Sequence, residues 1–306
     1  MSGPTGTPLV AAGEAAPRST ARVRSAGPGR REPRLKWALI HLTLIAATLI
    51  AVFPVIRVLG VALRPGDNLL DLQFSIIPKG ATLAAFHHVL FETPMLQWLF
   101  NSLLITVGTS IIGLIVAATS AYAFSRYKFP GRGLGLTLLL TTQLIPAAML
   151  LVPIYIIAVQ LDLVSTYRGL VIAYSVTSVP FSIWILKGYY DTIPIDLEEA
   201  ARVDGCTQLE SFWRILLPLS TPALSIVFLF NFLAAWSEFF TANILIGSRE
   251  DLLTWTLGLQ RFQGQYQTQW ADLSAAAILI SVPVVALFLY TSKYLVSGLT
   301  LGSVKG

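Results

Sequence analysis

Glu238 is the one ionisable residue well inside a long uncharged run, with Asn231 and Asn243 close to it. A charge at mid-bilayer costs roughly 2.5–3.5 kcal/mol on insertion scales, so such a carboxylate turns toward a bundle interior or a water-filled cavity. On a continuous helix, Asn231 and Glu238 lie nearly two turns apart and share a face. Either they line a polar translocation path, or Glu238 is hydrogen-bonded to a neighbouring helix or sits near the outer interface. Other reactive groups are sparse. His87 and His88 are adjacent and lack a third ligand, so no metal site is read from them. Cys206 is the only cysteine, which excludes an intrachain disulfide. No Gly-x4-Gly-Lys phosphate loop, nucleophile–base pair or cofactor loop is present, so ATP chemistry has to be supplied by another chain.

The elements around these residues are apolar. The chain has 306 residues, 55% of them hydrophobic and 12% charged, with a mean hydropathy of +0.69. This is too apolar for a soluble domain. Hydropathy resolves six spans: Trp37–Leu63, Trp98–Phe124, Leu134–Leu161, Gly169–Leu186, about Leu216–Ile246, and Leu273–Ser292. Each is long enough to cross about 30 Å of hydrocarbon as a helix, and no alternating barrel pattern occurs. The expected fold class is all-α, a polytopic protein with six transmembrane helices. Pro54, Pro146, Pro153, Pro180 and Pro283 fall inside spans and favour kinks. Thr109, Gly113, Ala117 and Ala121 form a small-residue stripe, suited either to a second membrane subunit or to packing within the chain.

Lys and Arg placement sets the orientation. Of the 21 basic residues, only Arg57, Arg64, Lys79, Arg168, Arg249 and Arg261 fall within spans or outside when both termini are cytosolic. The net charge of +5 therefore reflects topology, and nucleic acid is not an expected partner. Residues 1–36 read as a disordered basic cytosolic tail, and residues 37–306 as the transmembrane domain. Within that domain the core helices cover about 97–292, with a polar loop at 188–218 and a C-terminal tail at 293–306. Outside, Gly247–Trp270 is dense in amides and aromatics, among them Gln260, Gln263, Gln265 and Tyr266, with Trp255 and Trp270 expected near the membrane interface.

The polar loop is built to present a surface. Asp196 can cap a helix with Glu199 bonding back, and Gly205 suits the left-handed residue that ends it. Thr207 and Glu210 form a second capping box, launching a helix whose Phe212, Ile215 and Leu216 share a face. Ala200 and Ala201 give the first helix a shallow centre rimmed by acids and Arg202. Such a helix either enters another protein's groove or lies as an amphipathic connector against lipid.

Glu199-Ala200-Ala201, Gly205 six residues after the glutamate, and then Ile215, Leu217 and Pro218 resemble the Glu-Ala-Ala loop of binding-protein-dependent ABC importer permeases. Ala121-Tyr122-Ala123-Phe124-Ser125-Arg126 with Phe129-Pro130-Gly131 is similar to that family's turn after the second helix. Lys187-Gly188-Tyr189-Tyr190 and the closing Gly298-Leu299-Thr300 through Gly306 look like its maltose-transporter branch. The resemblance implies the type I importer permease fold in a prokaryotic inner or plasma membrane. It implies a second, MalF-like permease, two copies of a cytosolic MalK-like ATPase carrying ATP and Mg, and an extracytoplasmic sugar-binding protein. It makes residues 197–204 the coupling helix, with Glu199, Ala200, Ala201, Asp204, Gly205, Ile215, Leu217 and Pro218 as the ATPase-coupling set. The tail Leu301–Gly306 would also touch the ATPase, and the loop 260–269 would reach the binding protein. No cofactor is implied on this chain.

The long basic tail and a short loop between the third and fourth spans depart from the best-known members. They leave the sugar open among maltodextrins, trehalose and other oligosaccharides. An ion-coupled secondary transporter would show internal repeats with broken helices, and none are clear.

Overall fold

A computed structural model describes residues 34–66, 77–247, 249–264 and 268–302, with the side chains of residues 34 and 295–302 excluded. Residues 1–33 of the expected tail, Gln265, Tyr266 and residues 303–306 lie outside the described residues, while residues 34–36 of that tail are helical, the start of the first helix. Apart from one isolated antiparallel bridge between Gln263 and Thr268, every regular element among the described residues is helical.

Two compact units are distinguished, with their division between Ala51 and Val52. Helix α1, Arg34–Ala62, opens in the first, where Leu39, Leu42, Ile45 and Leu49 are all exposed. Among its described residues the second unit holds nine further helices longer than six residues. They are α2 (Met95–Arg126), α3 (Arg132–Thr142), α4 (Ala147–Gln160), α5 (Tyr167–Tyr190), α6 (Asp196–Val203), α7 (Gln208–Leu219), α8 (Thr221–Trp236), α9 (Phe240–Ile246) and α10 (Trp270–Gly302).

Among the described residues four helices, α1, α2, α5 and α10, are long and apolar enough to cross a membrane singly. The count reaches six only if each of two bent pairs is one span. The expected third span is α3 and α4 meeting at 103°. Pro146 causes the break: the ring disfavours helical backbone at Ile145, and Pro146 itself is extended, at ψ 129°. Gln143 Nε2 donates to Thr177 O at 3.2 Å, which fixes the bend against α5. The other in-span prolines, Pro54, Pro153, Pro180 and Pro283, sit inside helices that continue through them.

The expected fifth span, Leu216–Ile246, is corrected more heavily. α7 and α8 meet at 78° around Ser220, between Pro218 and Pro222. Pro222 sits in the first turn of α8, where a missing N–H leaves nothing unpaired. At Phe212–Leu216 the helix widens by one residue per turn, and Leu217 N donates to Phe212 O. That wider turn lies directly before Pro218, which has no N–H to offer the ladder. The span breaks again at Ser237–Phe239, before α9.

The small-residue stripe packs within the chain. Thr109, Gly113, Ala117 and Ala121 are buried, and α2 makes its most extensive contact with α5. A methyl group on Gly113 would meet Asn231 Nδ2 of α8 at 3.0 Å and Ser178 Oγ of α5 at 3.5 Å. Around Ala117, Ala121 and Tyr122 lies one apolar cluster with Ile183, Leu186, Tyr190, Phe212, Leu216 and Val227. A second, around Met95, Trp98, Phe232, Trp236, Phe262 and Ala275, occupies the opposite end of α2.

Candidate functional site

The polar loop folds as expected in outline and differs at its start. α6 runs Asp196–Val203, with Asp196, Glu198 and Glu199 in its first turn, where the helix dipole favours acids. Asp196 is inside the helix and does not cap it. The capping position is Ile195 in helical backbone, without a side-chain bond, and Glu198 N and Glu199 N both donate to Ile195 O, at 2.9 and 3.0 Å. The first capping box is therefore absent. Pro194 O, accepting from Leu197 N at 3.4 Å, begins a tight turn that does the same work.

The far end of α6 is the expected glycine stop. Gly205 has φ +93°, Cys206 N donates to Ala201 O at 2.9 Å, and Gly205 N donates to Arg202 O at 3.1 Å. These two bonds satisfy the last helical carbonyls in the Schellman arrangement. The second capping box is present: Thr207 Oγ1 accepts from Glu210 N at 3.2 Å, and Glu210 Oε2 accepts from Thr207 N at 2.8 Å.

The loop thus presents one outward face. Leu197, Glu199, Ala200, Arg202, Val203 and Asp204 are exposed, Val203 to 88%. Among the described residues Glu199 pairs with Arg202 alone, at 3.5 Å. Ala201 turns inward, Ile215 and Leu217 are half-buried, and Pro218 is exposed.

Beneath this face is a network that sequence reasoning missed. Glu198, beside the flagged Glu199, is 5% exposed. Its Oε1 accepts from Arg126 Nε at 2.5 Å and its Oε2 from Tyr122 OH at 3.1 Å. Arg126 also donates to Tyr190 O at 3.0 Å and Ile193 O at 3.1 Å. Beside it, Ser125 Oγ donates to Asp191 Oδ1 at 2.7 Å, and Lys187 Nζ lies 2.5 Å from Asp191 Oδ2. Burial raises the Asp191 pKa, but the bonds from Lys187 and Ser125 outweigh it and hold the carboxyl below its ordinary value. Tyr122 and Arg126, one turn apart at the end of a helix and followed by a doubled glutamate, were the available signal.

The proposed path residues do not share one helix. Asn231 is 3% exposed and accepts from Ser182 Oγ at 2.9 Å. α8 ends at Trp236, so no continuous helix carries Asn231 and Glu238 on a shared face. Glu238 instead caps α9, its two oxygens accepting from Thr241 N at 2.9 Å and Ala242 N at 3.1 Å.

At the opposite end of α2, Gln260 and Gln263 are exposed beside a cleft of about 310 Å³ lined by His88, Glu92, Trp98, Arg261, Phe262 and Gln269. Arg261 pairs with Glu250 at 2.7 Å and His88 with Asp272 at 2.9 Å. Asn101 Nδ2 ties the segment down through Asp251 O and Leu253 O, both at 2.9 Å. Trp255 is half-buried and packs on Trp236, ring centres 5.9 Å apart.

Residues 109–299 match the family described as "Binding-protein-dependent transport system inner membrane component". The maltose/maltodextrin transport system permease protein MalG of Salmonella typhimurium is 33% identical over 296 residues, covering 90% of this chain and 98% of the relative. MalG of Escherichia coli is 34% identical over 290 residues, covering 88% and 95%. Among solved structures, a bacterial ABC transporter involved in the import of the acidic polysaccharide alginate has a chain that aligns with a TM-score of 0.74 at 22% identity. That alignment covers 86% of this chain and 98% of the other.

Proposed function

The chain belongs to the family of binding-protein-dependent transport system inner membrane components, and on that premise we propose that it is the MalG-type permease subunit of an ATP-driven importer of maltodextrin-like oligosaccharides. The observation that carries the coupling half of this reading is α6. Its outward face has Ala200 at the centre and Glu199 and Arg202, paired with each other, at the rim, and among the described residues no other element covers it.

In this reading α6 seats in a groove of a MalK-like ATPase, two copies of which bind ATP and Mg. A MalF-like permease completes the membrane bundle, and an extracytoplasmic sugar-binding protein meets the end that carries Gln260 and Gln263. The bias of the basic residues supports a cytosolic location for both termini and α6. Closure of the ATPase pair then moves α6, and the bundle opens alternately to each side. The relatives' names support a maltodextrin-like sugar, and membership of a binding-protein-dependent family favours this reading over an ion-coupled transporter.

Two measurements test this. Ala200→Cys is expected to crosslink to the co-expressed ATPase. Glu199→Lys, which reverses a charge on the docking face, is expected to lower uptake of labelled maltodextrin about tenfold or more at unchanged membrane levels. Crosslinking from the exterior side only, or wild-type uptake by the lysine variant, overturns the assignment.

A further inference from the structure

Glu198 and Glu199 are adjacent in sequence and point to opposite surroundings. Glu199 is exposed, and its ion pair with Arg202 is exposed too; such pairs contribute little. Glu198 pairs with Arg126, and each side chain is only 6% exposed. The Arg126 guanidinium touches four parts of the fold at once. Nε reaches Glu198 of α6, one terminal nitrogen reaches Ser125 Oγ of α2 and the last carbonyl of α5 at Tyr190, and the other reaches Ile193 O in the connector. Tyr122 OH fills the second oxygen of Glu198, and Ser211 Oγ of α7 approaches the Glu198 carbonyl at 3.5 Å.

A buried ion pair holds no more strongly than a well-packed apolar pair of similar volume. What it adds is direction. The planar guanidinium fork accepts its partners only along fixed lines, which a lysine or a methyl-lined contact does not enforce. An apolar seat under α6 would let the helix slide on the ends of α2 and α5, whereas this one forbids sliding.

We propose that Glu198 and Arg126 are positioning residues for energy coupling, a latch that makes α6 and the ends of α2 and α5 move as one body. This rests on the reading of α6 as the ATPase-docking helix. The latch divides the labour of the two glutamates: Glu199 meets the partner, and Glu198 delivers the partner's displacement to the bundle.

The test uses the whole complex in proteoliposomes, with its ATPase and binding protein, and reads labelled maltodextrin taken up per ATP hydrolysed. Arg126→Met combined with Glu198→Leu replaces the pair by apolar groups, and Arg126→Lys keeps the charge and loses the fork. Both are expected to retain ATPase co-purification and hydrolysis while uptake per ATP falls about tenfold. A purely structural role predicts that the apolar pair transports normally, and that result overturns the proposal. Tyr122→Phe, which removes a single bond to Glu198, is expected to lower the ratio about twofold to threefold; an unchanged ratio there also counts against the latch. The Ala200→Cys crosslink run in each sample separates the two readings. Its absence in an otherwise wild-type chain sinks the docking assignment, whereas its presence with an unchanged ratio sinks the latch alone.

Discussion

Substitutions at Gly205 separate backbone geometry from partner clearance. The residue has φ +93°, and a side chain built on it meets no heavy atom within 4 Å of its first carbon. Among the described residues a first side-chain carbon has open space there, so conformation decides. An L-residue other than Asn or Asp costs about 1–2 kcal/mol in the left-handed region, which shifts the capped population about 5- to 30-fold. The cost falls on two bonds, Cys206 N to Ala201 O and Gly205 N to Arg202 O, and so on the outer end of α6. Uptake of labelled maltodextrin at matched membrane levels is expected to rank Gly above Asn, Asn above Asp, then Ala, with Val lowest. The informative pair is Asn against Ala, because the larger residue is expected to work better. Were Ala to equal Gly while Asn failed, the ranking would follow size. Clearance for a docked partner would then explain the glycine, and the conformational argument would fail.

Three further outcomes follow from particular contacts. Gly258→Ala places its methyl 2.2 Å from two ring atoms of Trp98, which is buried against Phe262. Overpacking of about 1–3 kcal/mol or more is expected, seen as a lower melting temperature in detergent, and an unchanged melt refutes the contact. Glu238→Ala removes both acceptors at the start of α9 and is expected to cost about 0.5–2 kcal/mol locally, read as faster amide exchange at Thr241 and Ala242. Glu238→Gln keeps an acceptor oxygen and should preserve uptake; a large loss of uptake with normal exchange would instead make the charge part of the path. Asp191 titrates below its ordinary value of 3.8 when folded. Its contribution is therefore complete above that value and lost as pH falls through the lower folded value. Asp191→Asn should flatten the acid limb of the melting temperature against pH, and an unaltered limb contradicts the stabilisation of the Asp191 carboxylate by Lys187 and Ser125.

Local chemistry was legible in the sequence where one residue type suffices to dictate structure. Gly205 announced a left-handed stop, and Thr207 with Glu210 announced a capping box; both are present. The apolar runs around α1, α2, α5 and α10 were equally plain, since a helix that satisfies its own backbone needs only length and hydropathy to be recognised. Proline was ambiguous. Pro54, Pro153, Pro180 and Pro283 lie in continuous helices and Pro146 lies at a break of 103°, a difference made by what surrounds each ring.

The all-helical membrane class and the short polar helix with its glycine end follow from periodicity, composition and neighbours within one turn, so the amino-acid order alone is enough to read them. Which glutamate faces inward is settled by packing between distant elements. Arg126 and Glu198 are 72 positions apart, and nothing local in the doubled acid says which carboxylate will find a guanidinium. The tertiary structure also turned Glu238 from a mid-helix charge into a helix cap, and gave the small stripe of α2 to α5 and α8. Those choices are made by how helices cross, and a crossing brings together residues that share no sequence neighbourhood.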